Sequence, residues 1–566
     1  MPASWCLDTS NPEMLSTPEP QDSKSDLVRL ANIAMLTRNG NVLEIGCGTG
    51  KLSAMLSAFG NEVYGVALQP IDADLARFRF YELGLTCGHF RASTLHELSC
   101  LPDSDSSFDF VVLVDLLQKI PNPEDVLREA ARVVKPGGLV IISVPNAYCK
   151  PLPDQVRLFT RHSLFDLVSR TMDGSFAWID TENPISLSAA IQVDKATATY
   201  NSPDPNLYLT PWPVPEIEKP LVSIIVPTYN RAHLLPRSIE SLLAQTYRPI
   251  EIIVVDDGST DNTREVVEPY LNRIQYVGQE NSGCPTARNT GILRSKGKYI
   301  LFFDDDDISL PRLLEVEVRQ LESSGAAFCH GSAVVVDDDF RISRVHVARN
   351  VSRNDLLEYE FLVGNVFFGG TGLISRAALD KVGLYDTRLI RAQDYDMWMR
   401  LLARFEAVSV DYLGQIYFFH QGQRGSADDR FSASNILNKT REYEKIIFRK
   451  LYNEIPLEAV FPDIEKYGSP IVRIEALLRR AQSLNMRGLE DLAKRDIEVA
   501  GRLAEGLRLA LSPKAQAAID YLTREVPKWP SPQAALSACR ALKKVVDAGM
   551  DEFAAYGNAS EFTAGN

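Results

Sequence analysis

Three features are missing from this chain of 566 residues, and each absence excludes a class of protein. No uncharged apolar run approaches the ~20 residues that a helix needs to cross a bilayer, and the longest candidate, 361–374, is short and rich in glycine. The 8 cysteines are scattered and form no Cys-x-x-Cys pair, which argues against a disulfide framework or a zinc site. The first residues do not show the basic, apolar and small-residue segments of a secretory signal. We therefore expect a cytoplasmic protein without a transmembrane segment.

Positive charge is also in short supply. The chain has 60 Lys and Arg against 74 Asp and Glu, for a formal net charge of -14. This balance argues against nonspecific binding of nucleic acid and against docking of the whole surface on anionic lipid, but it leaves local peripheral contact with a membrane open. The length is sufficient for several domains, and 45% hydrophobic residues are ordinary for a globular protein.

Three apolar runs between residues 221 and 307 each end in a polar or acidic turn. Their sequences are LVSIIVPTYNR, EIIVVDDGSTD and KYILFFDDDDISLP. Such runs predict buried parallel strands, and the helical patterns between them predict a β-α-β-α-β unit with ligand groups at the carboxyl ends of the strands. Carboxylates at the mouth of an apolar sheet are costly unless they are paired, hydrated or bound to a metal. The pattern therefore predicts an enzyme that handles a nucleotide diphosphate through a divalent cation.

The motifs continue in order with GCPTARNTGI, GGTGLISRAALDKVGLYD and AQDYDMWMRLLARF. The series resembles family 2 glycosyltransferases of the GT-A fold over about residues 220–430. The resemblance implies an inverting hexosyltransferase that moves a sugar from a nucleoside diphosphate sugar to a glycan or lipid-linked acceptor, in surface-polysaccharide synthesis. The nucleotide-sugar-binding residues that it implies are Pro227, Tyr229, Asp257, Arg288, Asp304 and Asp305.

The run of four aspartates is the predicted metal site. Residues i and i+2 of an extended segment point the same way, so Asp304 and Asp306 are expected to converge. Mg²⁺ or Mn²⁺ prefers oxygen ligands, and the resemblance makes Asp306 the direct ligand, joined by Asp304. His420 follows the last apolar strand and is either a third ligand or a packed residue. Asp307 is expected to cap the next helix.

Inversion requires a base that removes the proton of the acceptor hydroxyl. The resemblance places this base in the pair Gln393-Asp394, so Asp394 is the predicted catalytic residue. Gln393 stands where the family has Glu, which removes a charge that would raise the pKa of Asp394. Asp396 is predicted to pair instead with Arg400, four residues along the same helix.

A second set of motifs occupies residues 26–172. The stretch NVLEIGCGTGKLSAMLSAFG predicts a strand, a glycine turn and a helix, and FDFVVLVDLLQKIPNPEDVLREAARVVKPGGLVIISVPN follows it. Together they resemble class I S-adenosylmethionine-dependent methyltransferases, which have a Rossmann-like fold. The resemblance implies that cofactor-binding residues are Glu44, Gly46, Gly48 and Gly50.

This second resemblance has departures at functional positions. Ala67 stands where the family has the acidic residue that binds the ribose, Ala92 lies near the adenine position, and Gln118-Lys119 replaces a frequent Glu-His pair. Binding of S-adenosylmethionine is therefore left open. The alternatives are a bifunctional enzyme that also methylates the glycan, a retained fold used for docking, and a noncatalytic scaffold built from both folds.

The remaining segments complete an α/β architecture with a helical end. Residues 1–25 are expected to be disordered, and residues 173–219, which become rich in proline, are expected to form an extended linker. Helical patterns separated by Ser-Pro or Gly breaks fill residues 431–566 and predict a small bundle. That bundle would pack on the transferase, bind a partner or form a dimer.

Overall fold

The computed structural model describes residues 24–147, 155–180, 186–194, 203–204, 207–209, 219–348, 353–362, 365, 367, 369–419, 436–505 and 511–543. Of the stretch 1–25 that is predicted to be disordered, only residues 24 and 25 are described. His420, the predicted ligand, lies outside the described residues.

Alternating strands and helices build the first sheet. Its strands follow the order β3-β2-β1-β4-β5-β7-β6, with β1 to β5 parallel and β7 antiparallel to both of its neighbours. The strands are β1 (Asn41–Ile45), β2 (Glu62–Ala67), β3 (Gly88–Ala92), β4 (Phe108–Val114), β5 (Val134–Pro145), β6 (Gly174–Asp180) and β7 (Ser186–Val193). The helices are α1 (Lys24–Met35), α2 (Lys51–Ala58), α3 (Pro70–Leu83), α4 (Pro123–Val133) and α5 (Arg161–Thr171).

The interpretation of 173–219 as an extended linker is wrong for its first part. β6 and β7 lie within it and form the last two strands of the first sheet. β7 pairs with β5 along seven residues, from Leu139 opposite Gln192 to Pro145 opposite Ser186. Half of the residues of β7 are Ser or Ala, which have weak strand preference, so its strand form depends on pairing with β5.

The second sheet carries the acidic motifs and has the order β10-β9-β8-β11-β15-β13-β16-β12, with β14 paired to β13. The strands are β8 (Val222–Thr228), β9 (Ile250–Asp256), β10 (Gln275–Gly278), β11 (Tyr299–Phe302), β12 (Ile308–Ser309), β13 (Phe328–Val336), β14 (Ile342–His346), β15 (Leu373–Ser375) and β16 (Ala407–Phe418). The helices are α6 (Leu235–Leu243), α7 (Thr263–Val267), α8 (Cys284–Arg294), α9 (Leu313–Ser324), α10 (Arg353–Leu362), α11 (Arg376–Val382) and α12 (Gln393–Leu402).

The parallel arrangement sets which edge of the second sheet can bind a ligand. β10, β9, β8 and β11 run parallel, and β13 and β16 run the same way because β15 is antiparallel to both β11 and β13. The carboxyl ends of these strands therefore lie along one edge of the sheet. Ligands of open α/β sheets bind at this edge.

The C-terminal region is helical, as predicted. It consists of α13 (Ile436–Glu454), α14 (Leu457–Val460), α15 (Asp463–Tyr467), α16 (Pro470–Met486), α17 (Glu490–Ala504) and α18 (Pro513–Glu525), and residues 533–543 are also helical. Its apolar faces form one buried cluster with α12 and with one face of the second sheet. The helices therefore pack directly on the second α/β unit.

The first three helices join the two sheets. α1 packs against β14, α2 against β16, and α3 against α9. One buried hydrophobic cluster contains residues of the first sheet and its helices together with residues of β8, β9, α6, α9 and β16. The two α/β units thus share a continuous apolar core.

Candidate active site

The acidic motif lies in a turn directly after β11. The N–H of Asp307 donates to the carbonyl of Asp304 at 3.4 Å, which closes the turn. Carboxylate oxygens of Asp304, Asp306 and Asp307 all lie within 4.8 Å of one another. The predicted convergence of Asp304 and Asp306 is confirmed, although a turn produces it rather than an extended segment. Three carboxylates at this spacing match the oxygen ligands that Mg²⁺ and Mn²⁺ prefer.

The expectation that Asp307 caps the next helix is wrong. α9 begins at Leu313 with Arg312 as its N-cap residue, several positions after the acidic motif. Asp307 is completely buried and instead accepts hydrogen bonds from the N–H of Phe418, at 3.0 Å, and from the amide of Gln415, both on β16. Burial raises the pKa of Asp307 well above its ordinary value, with Asp306 adding to the shift. Strand β16 therefore holds Asp307, the last residue of the acidic motif, in place.

Arg231 belongs to the site, although it was absent from the residues predicted from sequence. Its guanidinium donates to Asp305 at 3.2 Å and to Asp306. The hydroxyl of Thr228 donates to the second oxygen of Asp305 at 2.6 Å. Burial raises the pKa of Asp305 to about 7, and Arg231 opposes that shift. The available signal was the place of Arg231 directly after Tyr229 and Asn230, at the carboxyl end of β8.

Arg288 pairs with the first aspartate of the acidic motif. Its guanidinium is buried and donates to Asp304 at 2.9 Å. Asp394 is half-buried in the first turn of α12, and Asn365 donates to its carboxylate at 3.3 Å. Burial raises the pKa of Asp394, while Arg288 is close enough to oppose the shift. Burial thus supplies the increase in pKa that Gln393, in place of Glu, was expected to remove.

The neighbours of Asp394 on the same helix are structural. Asp396 is fully buried and accepts from Arg400 at 2.9 Å, as predicted, and also from Lys450 of α13 at 2.8 Å. Trp398 and Met399 are buried in the core. A side chain at Gly372 would meet the Trp398 ring at 2.4 Å, so packing against that ring requires the glycine.

The predicted nucleotide-binding residues lie at the ends of β8 and β9. Pro227 is buried in β8 and Tyr229 is half-buried just after it. Asp256 holds the turn, as expected, because it accepts from the N–H of Ser259 at 2.8 Å. Asp257 accepts from Gln279 at 2.7 Å and from two N–H groups of residues 282–283. The contact of Asp257 with a pyrimidine stays a prediction.

The first sheet has a separate candidate ligand site at its own carboxyl edge. Gly46, Gly48 and Gly50 all have positive φ angles, of 86°, 50° and 79°, and an added side chain at Gly48 would meet no atom within 4 Å. The side-chain amide of Gln118, 1% exposed, has no hydrogen-bond partner among the described residues. An open glycine turn and an unsatisfied buried amide fit a polar ligand at this edge.

The fit to S-adenosylmethionine is partial. Ala67 ends β2 fully buried, so no carboxylate is present there for the ribose hydroxyls. Glu44 is also buried, and Ser53 donates to it at 2.5 Å. Burial raises the pKa of Glu44 to about 8. The Glu44 side chain is therefore committed to the protein interior and largely uncharged at neutral pH.

Comparisons with known proteins agree with both sets of motifs. The model of the family "Glycosyl transferase family 2" matches residues 223–383, and that of "Methyltransferase domain" matches residues 43–142. The uncharacterized glycosyltransferase RP339 of Rickettsia prowazekii is 34% identical over 235 residues, which are 41% of this chain and 71% of the relative. The chain belongs to glycosyltransferase family 2. It is accordingly an enzyme of the transferase class.

Other proteins are also similar to part of this chain. The Escherichia coli protein WfgD, named as a UDP-Glc:alpha-D-GlcNAc-diphosphoundecaprenol beta-1,3-glucosyltransferase, is 31% identical over 185 residues, 32% of this chain and 70% of the relative. A crystal structure of Staphylococcus aureus TarS 1–349 with UDP-GlcNAc gives a TM-score of 0.38 and 17% identity, covering 58% of this chain and 92% of that one. Within the described part of this glycosyltransferase, no helix has the length and apolarity to cross a membrane.

Proposed function

We propose that this protein is a cytoplasmic, metal-dependent, inverting glycosyltransferase that moves a hexose from a nucleoside diphosphate sugar to a glycan or lipid-linked acceptor in surface-polysaccharide assembly. The observation that carries the proposal is the connected site in which Arg288 links Asp304 of the acidic motif to the neighbourhood of Asp394. The name of WfgD, a relative that uses a UDP-sugar and a diphosphoundecaprenol acceptor, supports this donor and acceptor class.

The proposed reaction assigns a separate task to each group. Asp394 removes the proton of the acceptor hydroxyl while the new bond to the anomeric carbon forms and the bond to the diphosphate oxygen breaks. A divalent cation held by Asp304 and Asp306, with Asp307 beside them, would supply positive charge that offsets the charge on the leaving diphosphate. The raised pKa of Asp394 suits this task, because a stronger base accepts the proton more readily.

The nucleotide is assigned to the ends of β8 and β9. Tyr229 and Pro227 would line the base site, and Asp257 would accept from a pyrimidine N–H in addition to its contacts with residues 279–283. Asp305 would lie near the ribose. Arg288 would support the diphosphate, since it is a buried cation beside Asp304. His420, which lies outside the described residues, stays a candidate third ligand of the metal.

The decisive experiment is transfer and hydrolysis of a panel of nucleotide sugars with Mn²⁺, with Mg²⁺ and with a chelator. We expect one donor to be turned over only when the metal is present. Asp306→Ala should abolish this metal-dependent turnover. Asp394→Asn should lower kcat by about 100-fold or more while donor binding changes little, because the amide keeps the shape but cannot accept the proton.

The matched control is Asp339→Asn, because Asp339 is an exposed aspartate outside this site that pairs with an exposed arginine. This control should keep wild-type kcat. Full transfer activity in Asp394→Asn would refute the assignment of the base, and the absence of nucleotide binding with every donor would favour the scaffold alternative.

A second activity, methyl transfer to the glycan, is favoured by the methyltransferase-domain match and the unsatisfied amide of Gln118. Titration calorimetry with S-adenosylmethionine should give measurable heat that is lost in Gly48→Val, which fills the open glycine turn. Because Ala67 lacks the carboxylate that the family has at this position, S-adenosylmethionine should bind more weakly by about 1.5–3 kcal/mol. An absence of heat with the wild-type protein would rule out this second activity.

A further inference from the structure

Strand β16 is held by the N-terminal α/β unit at one end of its length. α2 packs against it, and Arg79 of α3 lies 3.6 Å from the carboxylate of Asp411. Tyr412 is 4% exposed and belongs to the buried apolar cluster that also contains Leu56 of α2 and Phe80 of α3. Two neighbouring residues of a glycosyltransferase strand thus contact the other unit, Tyr412 as a buried residue and Asp411 at the surface.

A bulge in β16 takes Asp411 and Tyr412 out of the pairing with β13. Along the pairing with β13, Gly331 lies opposite Val410, but the next residue, Ser332, lies opposite Leu413. Asp411 and Tyr412 are therefore extra residues without a partner in β13. Bulges of this kind bend a strand and redirect its side chains, and they are frequent near active sites. Here the redirected side chains meet α2 and α3.

The same strand supports the acidic motif a few residues later. Gly414 accepts a hydrogen bond from Leu310 at 2.9 Å, which fixes the strand beside the segment that follows the motif. Gln415 and the N–H of Phe418 then donate to the two oxygens of Asp307. The bulge and the groups that hold Asp307 thus lie within eight residues, from Asp411 to Phe418.

We propose that the N-terminal unit positions the acidic motif of the glycosyltransferase through β16, with Tyr412 as the positioning residue. The proposal rests on the proposed function in one respect, namely that the motif binds a divalent cation. In this arrangement the methyltransferase-like unit is required for sugar transfer whether or not it binds a ligand of its own. Its helices fix the bulge, the bulge fixes Gln415 and Phe418, and these orient Asp307.

Arg79 extends the contact to the glycine turn of the N-terminal unit. Its guanidinium donates to the carbonyl of Thr49, between Gly48 and Gly50, at 3.2 Å, and the same side chain faces Asp411. The side chain thus touches both units. Replacing Arg79 disturbs the contact more gently than emptying the buried site of Tyr412, because Asp411 is largely exposed.

The test compares full-length Tyr412→Ala, Tyr412→Phe and Gln320→Ala with the wild type. Gln320→Ala is the matched control, because it removes another contact between the units, the bond from Gln320 of α9 to the carbonyl of Glu82 at 2.7 Å. The readouts are the Kd for Mn²⁺ in the presence of UDP, and hydrogen exchange of the Phe418 amide.

Tyr412→Ala should raise the Kd for Mn²⁺ by about tenfold and speed exchange at Phe418 by a similar factor, because the emptied site frees the bulge. Tyr412→Phe, which keeps the ring, and Gln320→Ala should change both readouts less than about twofold. Should Tyr412→Ala fail to fold, Arg79→Ala is expected to shift both readouts in the same direction by a smaller factor.

Unchanged exchange at Phe418 in both Tyr412→Ala and Arg79→Ala would overturn the proposal, as would an equal effect of Gln320→Ala. A wild-type protein that binds neither Mn²⁺ nor UDP, but whose Phe418 exchange responds to Tyr412→Ala alone, would refute the proposed function and leave the positioning role standing. The two failures are therefore distinguishable.

Discussion

Burial sets the charge of several carboxylates in this protein. Glu44 and Glu317 are 3% and 1% exposed, and neither oxygen of Glu317 has a hydrogen-bond partner among the described residues. Burial raises the pKa of Glu44 to about 8, that of Asp305 to about 7 and that of Glu317 well above its ordinary value. Of these groups, Glu44 has a folded-state pKa above neutral and therefore holds a proton in the folded protein that it releases in the unfolded chain at pH 7.

Glu44 should make the protein less stable as the pH rises. Its pKa of about 8 in the folded state exceeds the ordinary value of 4.5, so its contribution is fully present below pH 4.5 and is lost progressively up to pH 8. Each pKa unit corresponds to about 1.4 kcal/mol, so a change of a few kcal/mol is expected. Thermal unfolding at pH 5 and pH 8 should show a smaller difference for Glu44→Gln than for the wild type.

The control for this measurement is Glu505→Gln, since Glu505 is an exposed glutamate at the end of α17. It should keep the wild-type dependence on pH. If Glu44→Gln also keeps it, Glu44 does not carry a proton into the folded state.

Sequence reasoning found the acidic residues of the site but missed the cation that pairs with them. Aspartates in a run after an apolar strand imply a ligand or a partner by their cost alone. Arg231 lies more than seventy residues earlier, and only the parallel pairing of β8 with β11 brings it to Asp305 and Asp306. A single arginine after a strand has many equivalent uses on a protein surface.

Helix α12, which carries Asp394, is held in place by a helix of the C-terminal region. Lys450 of α13 donates to Asp396 at 2.8 Å and lies 3.5 Å from Asp386. Asp396 is fully buried, with Arg400 as its other partner. The C-terminal helices therefore have a definite structural task, which is to hold the helix of the proposed base.

Lys450→Met should weaken this support. The change leaves a buried carboxylate with one of its charged partners removed, which is expected to cost about 1–3 kcal/mol of unfolding free energy. Turnover should fall several-fold, with a smaller change in the KM for the donor, because Asp394 and not the nucleotide site lies on α12. Thermal unfolding and steady-state kinetics measure the two effects.

Lys445→Met on the same helix is the matched control, because Lys445 is exposed. It should leave both stability and turnover unchanged. Wild-type stability and kinetics in Lys450→Met would show that α13 does not support the base.

At this scale the sequence predicted the strands with long β-branched runs and the helices with clear apolar faces. It did not predict β6 and β7, where SFAWID and SLSAAIQV contain small and polar residues and precede a proline-rich stretch. Their strand form comes from pairing between β5, β7 and β6. Hydrogen bonds between strands distant in sequence leave no periodicity for a local pattern to show.

On the scale of the whole molecule, the two α/β units behave as one folded body in their packing. The shared apolar cluster includes Leu56 of α2 and Phe80 of α3 together with Leu313 of α9 and Ile416 of β16. The sequence predicted two separate domains and a linker, since an apolar helix face does not reveal which neighbour covers it. The shared core is visible only once the chain is folded.

A shared core predicts that both units unfold together. Differential scanning calorimetry should show one transition, and Mn²⁺ with UDP should raise the temperature of the whole transition. At a hundredfold excess over Kd, the ligands should add about 2.7 kcal/mol to the free energy of unfolding. The two units should not unfold in separate transitions, because unfolding either one exposes the apolar face of the other. Two peaks, of which only one responds to the ligands, would contradict the shared core.

The chain between β7 and β8 also acts as a tether. If it were cut, the contact between α2 and β16 would become an association between two molecules, and the order of the acidic motif would depend on their concentration. A covalent tether of this length provides an effective concentration of the millimolar order. The covalent link between the two units would thus convert a partnership governed by dilution into one of fixed stoichiometry.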